Sequence, residues 1–143
     1  MKNVSLFFIY FIVLSCATMS EEVDLYEYYN NYVRYIKTNN TLFAETMLSK
    51  QLREKIKLSD KDDFPILSGF PGVLSEVKNH YQSFESNKGC LSINGYDENS
   101  APVSLYIEYS NENNQWLVAY VEIFYPDTAK EFKNFGVCPT QFQ

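Results

Sequence analysis

The sequence is poor in the residues from which catalytic and metal centres are usually built. Its 143 residues include one histidine, His80, and the chain has no Ser-His-Asp, Cys-His or metal-ligand spacing. Three aspartates lie close together at Asp60, Asp62 and Asp63, but the segment lacks the glycine and the closing glutamate of an EF-hand loop. We therefore expect no metal site and no cofactor, and the pattern disfavours a hydrolytic enzyme.

Positive charge is also scarce. The chain has 12 lysines and arginines against 18 aspartates and glutamates, for a net charge of −6. No large basic cluster could release the counterions of a phosphate backbone, so we predict no nucleic-acid partner. The one basic patch is formed by Lys50, Arg53, Lys55 and Lys57. We interpret it as a solvated helix face, with a contact to anionic lipid headgroups or an acidic partner as the alternative.

One long hydrophobic run is present, and it lies at the start of the chain. Lys2 precedes apolar or small residues at positions 4–14, a run too short to stay in a bilayer as a spanning helix. A positive residue followed by a short apolar segment is typical of a signal peptide.

The end of this run resembles the lipobox of bacterial lipoproteins, in which an aliphatic residue and a small pair precede an obligatory cysteine. The matching residues are Val13, Leu14, Ser15 and Cys16. The resemblance implies that Cys16 becomes the amino terminus, carrying a thioether-linked lipid and a palmitate-type chain. Ordinary signal-peptidase cleavage after Ala17 is the alternative.

The lipoprotein interpretation divides the chain and gives it a location. It predicts a signal peptide over residues 1–15, a short tether over 16–24 and a single folded domain over 25–143. The lipid would hold the domain at a bacterial envelope membrane, facing the periplasm. Ala17 after the cysteine resembles the pattern sorted past the inner membrane, which favours the outer membrane.

Lipidation also accounts for the odd number of cysteines. If Cys16 carries the lipid, Cys90 and Cys138 remain as a pair, and an exported compartment permits their oxidation. A disulfide would pin the end of the chain to an earlier strand and stabilise the fold by about 4 kcal/mol. A redox-active pair is disfavoured because the chain has no C-x-x-C arrangement.

Apolar residues recur at helical spacing in three segments. We predict helix one over residues 23–38, helix two over 42–57 with Thr41 as its N-cap, and helix three over 71–84 with Pro71 in its first turn. After the strands, residues 126–135 predict a further short helix, ended by Gly136.

Two later segments follow a strand pattern. Residues 90–96 predict a strand in which Gly95 marks a bulge or an edge, and residues 103–125 predict a hairpin that turns within SNENNQ. One register pairs apolar residues throughout. Its pairs are Val103 with Ile123, Leu105 with Val121, Ile107 with Ala119, and Tyr109 with Leu117. It leaves an odd number of loop residues, which predicts a G1-type bulge with an asparagine in the left-handed region.

Amphipathic helices followed by antiparallel strands resemble the α+β fold of the nuclear-transport-factor-two-like (cystatin-like) superfamily. The matching motif is VSLYIEYSNENNQWLVAYVEI at residues 103–123, where an Asn-rich turn and Trp116 precede an aliphatic strand. The resemblance implies a single domain whose amino-terminal helices pack on a curved antiparallel sheet that forms a cone. It assigns no function, because the superfamily includes isomerases, dehydratases, transport factors and toxin-immunity proteins.

Five residues are candidates for a cavity or binding surface: Glu122, Glu108, Tyr106, Tyr120 and Trp116. Glu122 interrupts an apolar strand, and a carboxylate buried there would have a raised pKa. Strand alternation places Glu108 and Glu122 on the sheet face opposite the stripe from Val103 to Tyr109. The alternative for Glu122 is a solvated or tyrosine-bonded residue near the end of the sheet.

These observations favour a protein-binding lipoprotein over an enzyme. The specific hypotheses are an immunity protein against a periplasmic toxin, which an acidic surface would suit, and an accessory subunit of an envelope complex. Two alternatives use the cone cavity. One is a carrier for a small apolar ligand, in keeping with an aromatic content of 17%, and the other is an isomerase or dehydratase that uses Glu122.

Overall fold

The computed structural model describes residues 23–58 and 69–142. The signal peptide, Cys16 and most of the tether lie outside the described residues, and so does the segment that contains Asp60, Asp62 and Asp63. Within the two ranges the chain forms one small α+β domain, with three helices and an open four-stranded antiparallel sheet. None of the helices found in these ranges has the length and hydropathy needed to cross a membrane.

Helix one is confirmed as α1 (Leu25–Lys37). Two side chains, one before the helix and one from the sheet, form hydrogen bonds with its first turn. The Asp24 carboxylate accepts hydrogen bonds from the backbone N–H groups of Tyr26 and Glu27, which satisfies donors that have no partner within the helix. The Gln82 side chain accepts a hydrogen bond from the Leu25 N–H and donates one to the Val23 carbonyl. α1 is therefore tied to the sheet at its first turn.

Helix two is corrected to two helices, α2 (Thr41–Thr46) and α3 (Lys50–Leu58). Between them the backbone pairs with a strand instead, because Val118 donates to the Met47 carbonyl and accepts from the Ser49 N–H. The Ser49 hydroxyl then accepts from the Leu52 N–H and starts α3. Asn40 precedes α2 as its N-cap, and Thr41 is the first helical residue.

Helix three was a wrong prediction. Phe70–Gly72 is a short 3-10 turn that contains Pro71, and the following segment is strand β1 (Glu76–Glu85). Its apolar residues recur at helical spacing, but pairing along the next strand overrides that local preference. On one face of β1 the Gln82 side chain bonds to the start of α1 and the His80 ring stacks on Tyr26 of α1, so this face is turned toward the helices.

The sheet is a simple meander. Strands β1, β2 (Lys88–Tyr96), β3 (Pro102–Glu112) and β4 (Gln115–Phe124) lie side by side in chain order. The strand predicted over residues 90–96 is therefore confirmed, but it is internal and not an edge. The irregularity beside Gly95 belongs to β1, where Lys78 is an extra residue. A side chain on Gly95 would collide with the Glu76 carbonyl.

The β3–β4 hairpin is confirmed, but its register is corrected by two residues over most of its length. Leu105 lies opposite Ile123, and Ile107 lies opposite Val121. The turn contains two residues, Asn113 and Asn114, both with positive φ (53° and 63°). Positive φ at both positions is typical of a type I′ turn, which matches the twist of the strands. The left-handed asparagine is thus confirmed, whereas the bulge lies within β4, at Ala119, and not in the loop.

The helices cover one face of the sheet, which we call the inner face. The core lies between them and contains these buried side chains: Leu25, Tyr29, Tyr32, Ala44, Leu48, Phe70, Leu91, Ile93, Leu105, Ile107, Tyr109 and Val118. On the other face, the outer face, the chain returns as a mostly irregular segment of residues 126–142, which we call the tail. The helix predicted over residues 126–135 is reduced there to a 3-10 turn, Ala129–Glu131.

Candidate binding cleft

Polar side chains of the outer face hold the tail in place. Asn94 is fully buried and donates its Nδ2 hydrogen to the Lys133 carbonyl, at 2.8 Å. The Ser92 hydroxyl accepts from the Val137 N–H at 2.9 Å, and the Ser83 hydroxyl donates to the Gly136 carbonyl at 3.0 Å. Buried polar groups are costly unless they are hydrogen-bonded, so the alternating polar residues of β1 and β2 specify where the tail lies.

The predicted disulfide is present and joins the tail to β2. Cys90 and Cys138 are bonded, with their Cα atoms 4.8 Å apart. Two residues earlier the tail backbone lies against the sheet at Gly136, where a side chain would collide with the Cys90 carbonyl. The backbone can come this close because glycine has no Cβ atom.

Glu108 also binds the tail, near its end. Glu108 is 5% exposed, and its carboxylate accepts a hydrogen bond from the Thr140 hydroxyl and forms an ion pair with Lys88 at 2.9 Å. Burial raises the pKa of the Glu108 carboxyl. The hydrogen bonds from Thr140 and Lys88 and the charge of Lys88 outweigh that effect, so its pKa lies below the ordinary value.

A cleft of about 480 Å³ opens where the tail passes over β3 and β4. One wall comes from the outer face of the sheet and the other from the tail. The lining residues are Tyr106, Glu122, Phe124, Glu131, Lys133, Phe135 and Val137. Because the disulfide and the hydrogen bonds fix the tail on either side of Val137, the second wall is preformed.

Tyr106 is the buried polar residue of the cleft. It is 6% exposed, and its hydroxyl has no hydrogen-bond partner among the described residues. Its ring stacks on Phe124, with the centroids 6.2 Å apart and the planes 20° apart. Burial raises the pKa of the Tyr106 hydroxyl. The nearby Ser104 hydroxyl opposes this rise, although it donates its hydrogen to Asn94 Oδ1 and lies outside hydrogen-bonding geometry with Tyr106, and the negative charge of Glu122 adds to the rise.

The five sequence candidates are distributed over both faces of the sheet. Tyr106 and Glu122 line the cleft together, on the outer face. Glu122 is exposed, which fits the solvated alternative and not the buried carboxylate. Glu108 is on the same face, opposite Tyr120 in the register, and fastens the tail. Trp116 lies on the inner face, where its ring contacts that of Phe84, with the two ring centroids 5.4 Å apart.

The sequence does not predict four of the seven lining residues as part of a site. Glu131, Lys133 and Phe135 fall in the predicted short helix and Val137 in the segment after it, neither of which the apolar spacing places against the sheet. Cys138 is the sequence signal that could have indicated this wall of the cleft. A disulfide to Cys90 in β2 requires the residues between the end of β4 and Cys138 to pass over β3.

The protein-family models, the curated proteins and the solved structures contain no match to this chain. In the part of the chain that the structure describes, no three His, Cys, Asp or Glu residues are grouped so that they could hold a metal ion.

Proposed function

We propose that the chain is an exported, lipid-anchored protein-binding module of the bacterial envelope, and that the cleft is its binding surface. One observation carries this proposal. A cleft of about 480 Å³ is walled by a disulfide-held tail and is lined by Tyr106, whose buried hydroxyl has no hydrogen-bond partner among the described residues. A preformed wall lowers the entropy cost of binding, and a polar group left unsatisfied in a pocket can be satisfied by a ligand.

Exposed aromatic rings around the cleft support a protein partner. Phe124 and Phe135 line it and are 39% and 52% exposed, and Tyr125, next to Phe124, is 60% exposed. Aromatic residues are enriched at protein interfaces, where a few buried rings supply most of the affinity. The net charge of −6 favours a basic partner. An immunity protein against a periplasmic toxin and an accessory subunit of an envelope complex both fit this description.

We also propose that the fold is the curved cone of the nuclear-transport-factor-two-like superfamily. The contact between Phe84 and Trp116 supports this, because these residues belong to the two edge strands and meet over Gly89 on the inner face. The buried rings of Tyr29, Tyr32 and Tyr109 pack on the inner face, which would be the concave side of such a cone. This packing favours an outer-face binding site over a ligand carrier or isomerase that uses the cone interior.

Affinity capture from native membranes tests the binding function. The full chain, tagged after Gln143, is expected to retain a stoichiometric protein partner, and the intact mass should show acyl chains on Cys16. Phe135→Ala should reduce recovery of the partner at least tenfold. Phe43→Ala is the matched control, since Phe43 is similarly exposed (49%) but lies on α2 across the sheet. Equal recovery with both variants would place the interface elsewhere.

A further inference from the structure

The geometry of the cleft points to a specific ligand group. We propose that it receives an arginine side chain from the protein partner, an inference that rests on the proposed function. Three features of the cleft match a guanidinium group: an aromatic surface, an unpaired carboxylate and a buried hydrogen-bond acceptor. Residues of β3 and β4 carry all three features: Tyr106 and Phe124 form the aromatic surface, Glu122 supplies the carboxylate, and the Tyr106 hydroxyl is the acceptor.

The aromatic surface is the stacked pair of Tyr106 and Phe124. Tyr106 is buried beneath, whereas Phe124 keeps 39% of its surface exposed. A planar guanidinium stacks well on an aromatic face, and the attraction strengthens as water is excluded. The aliphatic part of the arginine would lie against Phe135 and Val137 of the tail.

The carboxylate is Glu122, on the strand next to Tyr106 and directly opposite it in the register. Glu122 is exposed and forms no ion pair within residues 23–58 and 69–142. The Glu131 carboxylate also lines the cleft but already accepts a hydrogen bond from the Thr128 N–H. Lys133 contributes one positive charge to the lining, so the two carboxylates leave a net negative site.

The acceptor is the Tyr106 hydroxyl, which has no partner among the described residues. A guanidinium has five N–H donors in a fixed plane, so it can donate to Glu122 and to the Tyr106 oxygen at once. A lysine ammonium is a strongly hydrated point charge and would gain less from the aromatic surface. The site should therefore prefer arginine to lysine.

Titration with blocked amino acids tests this preference directly. The lipidated chain in mild detergent is titrated with N-acetyl-arginine methylamide, and the Val137 methyl resonances are followed by NMR. We expect saturable shifts with a dissociation constant in the millimolar range, weaker binding of the lysine analogue, and no saturation with the uncharged citrulline analogue. Equal shifts with the arginine and citrulline analogues would overturn the proposal.

Matched variants identify the residues responsible. Glu122→Gln should weaken arginine binding about tenfold, whereas Glu27→Gln, an equal charge change on an exposed residue of α1, should leave it unchanged. An unchanged affinity in Glu122→Gln would refute the site.

The partner capture separates the two proposals. If Phe135→Ala loses the partner but Glu122→Gln retains it fully, the arginine inference fails and the binding function stands. If the analogue binds but Phe135→Ala retains the partner, the arginine does not come from a protein partner in this cleft, and the proposed function fails as well.

Discussion

Glu108 shows how a single carboxylate can connect three parts of a fold. It sits in β3, pairs with Lys88 of β2 and accepts a hydrogen bond from Thr140 of the tail. Its contacts favour the charged form, and therefore its pKa in the folded chain lies below the unfolded value. A lowered folded pKa adds stability above the unfolded pKa, and this stability is lost as the pH falls through the folded pKa.

We predict that part of the acid sensitivity of the protein comes from Glu108. Urea unfolding at pH 7 should show Glu108→Gln to be less stable by about 2 kcal/mol, the typical contribution of hydrogen bonds to a charged group. Because the variant has no carboxyl to protonate, its free energy of unfolding should fall less than that of the wild type between pH 6 and pH 3. The exposed control Glu27→Gln should keep the wild-type pH dependence. Parallel pH profiles for all three proteins would contradict the assignment.

Two buried tyrosine hydroxyls lack partners among the described residues, those of Tyr106 and Tyr109. Tyr106 lines the outer-face cleft, whereas Tyr109 is 1% exposed in the inner-face core. An unsatisfied buried polar group costs about 1–3 kcal/mol, and phenylalanine removes that cost without changing the ring.

We therefore predict that Tyr106→Phe and Tyr109→Phe both keep or raise the free energy of unfolding, by up to about 1 kcal/mol. Only Tyr106→Phe should weaken binding of the arginine analogue, because it alone removes an acceptor from the cleft. Chemical denaturation and the NMR titration measure the two effects independently. Weaker binding in both variants would indicate a general loss of structure and not a lost acceptor.

At the scale of elements, the β3–β4 turn depends on two asparagines with positive φ. Residues other than glycine, asparagine and aspartate are strained there, at a cost of roughly 1–2 kcal/mol for most L-residues. We predict that Asn114→Ala lowers the free energy of unfolding by about 1 kcal/mol and that Asn114→Gly does not lower it. Asn99→Ala, in the exposed turn between β2 and β3, is the control. An Asn114→Ala variant as stable as wild type would contradict the type I′ turn.

The sequence predicts an element correctly where the spacing of its apolar residues fits a helix or a strand but not both. α1 has a capping aspartate and an unbroken stripe, and the hairpin has two apolar strands around an Asn-rich turn. β1 was missed because Val77, Tyr81 and Phe84 also fit helical spacing, and the neighbouring strand decides between the two structures. The break in helix two depends on hydrogen bonds to Val118, a contact that no local pattern encodes.

The same difference explains which site residues could be foreseen. Alternation along β3 and β4 was enough to place Tyr106 and Glu122 on one face, because side chains of a strand alternate strictly. Trp116 was grouped with them from its position in the motif, although it lies on the inner face. The tail wall has no periodicity of its own, and its position follows from partners such as Asn94 and Ser92 that are distant in sequence.

At the scale of the whole molecule, the disulfide links stability to the proposed function. The helices and the inner face form one core, whereas the tail is held on the outer face by the disulfide, Glu108 and a few hydrogen bonds.

Replacing both cysteines, Cys90→Ala with Cys138→Ala, should lower the free energy of unfolding by about 4 kcal/mol and release the tail wall of the cleft. The inner core should persist, so far-ultraviolet circular dichroism should change little at low temperature. Binding of the arginine analogue should fall at least tenfold, and reduction of the wild type should have the same effect. A reduced protein that binds the analogue with wild-type affinity would show that the sheet alone forms the site, and that the disulfide contributes only stability.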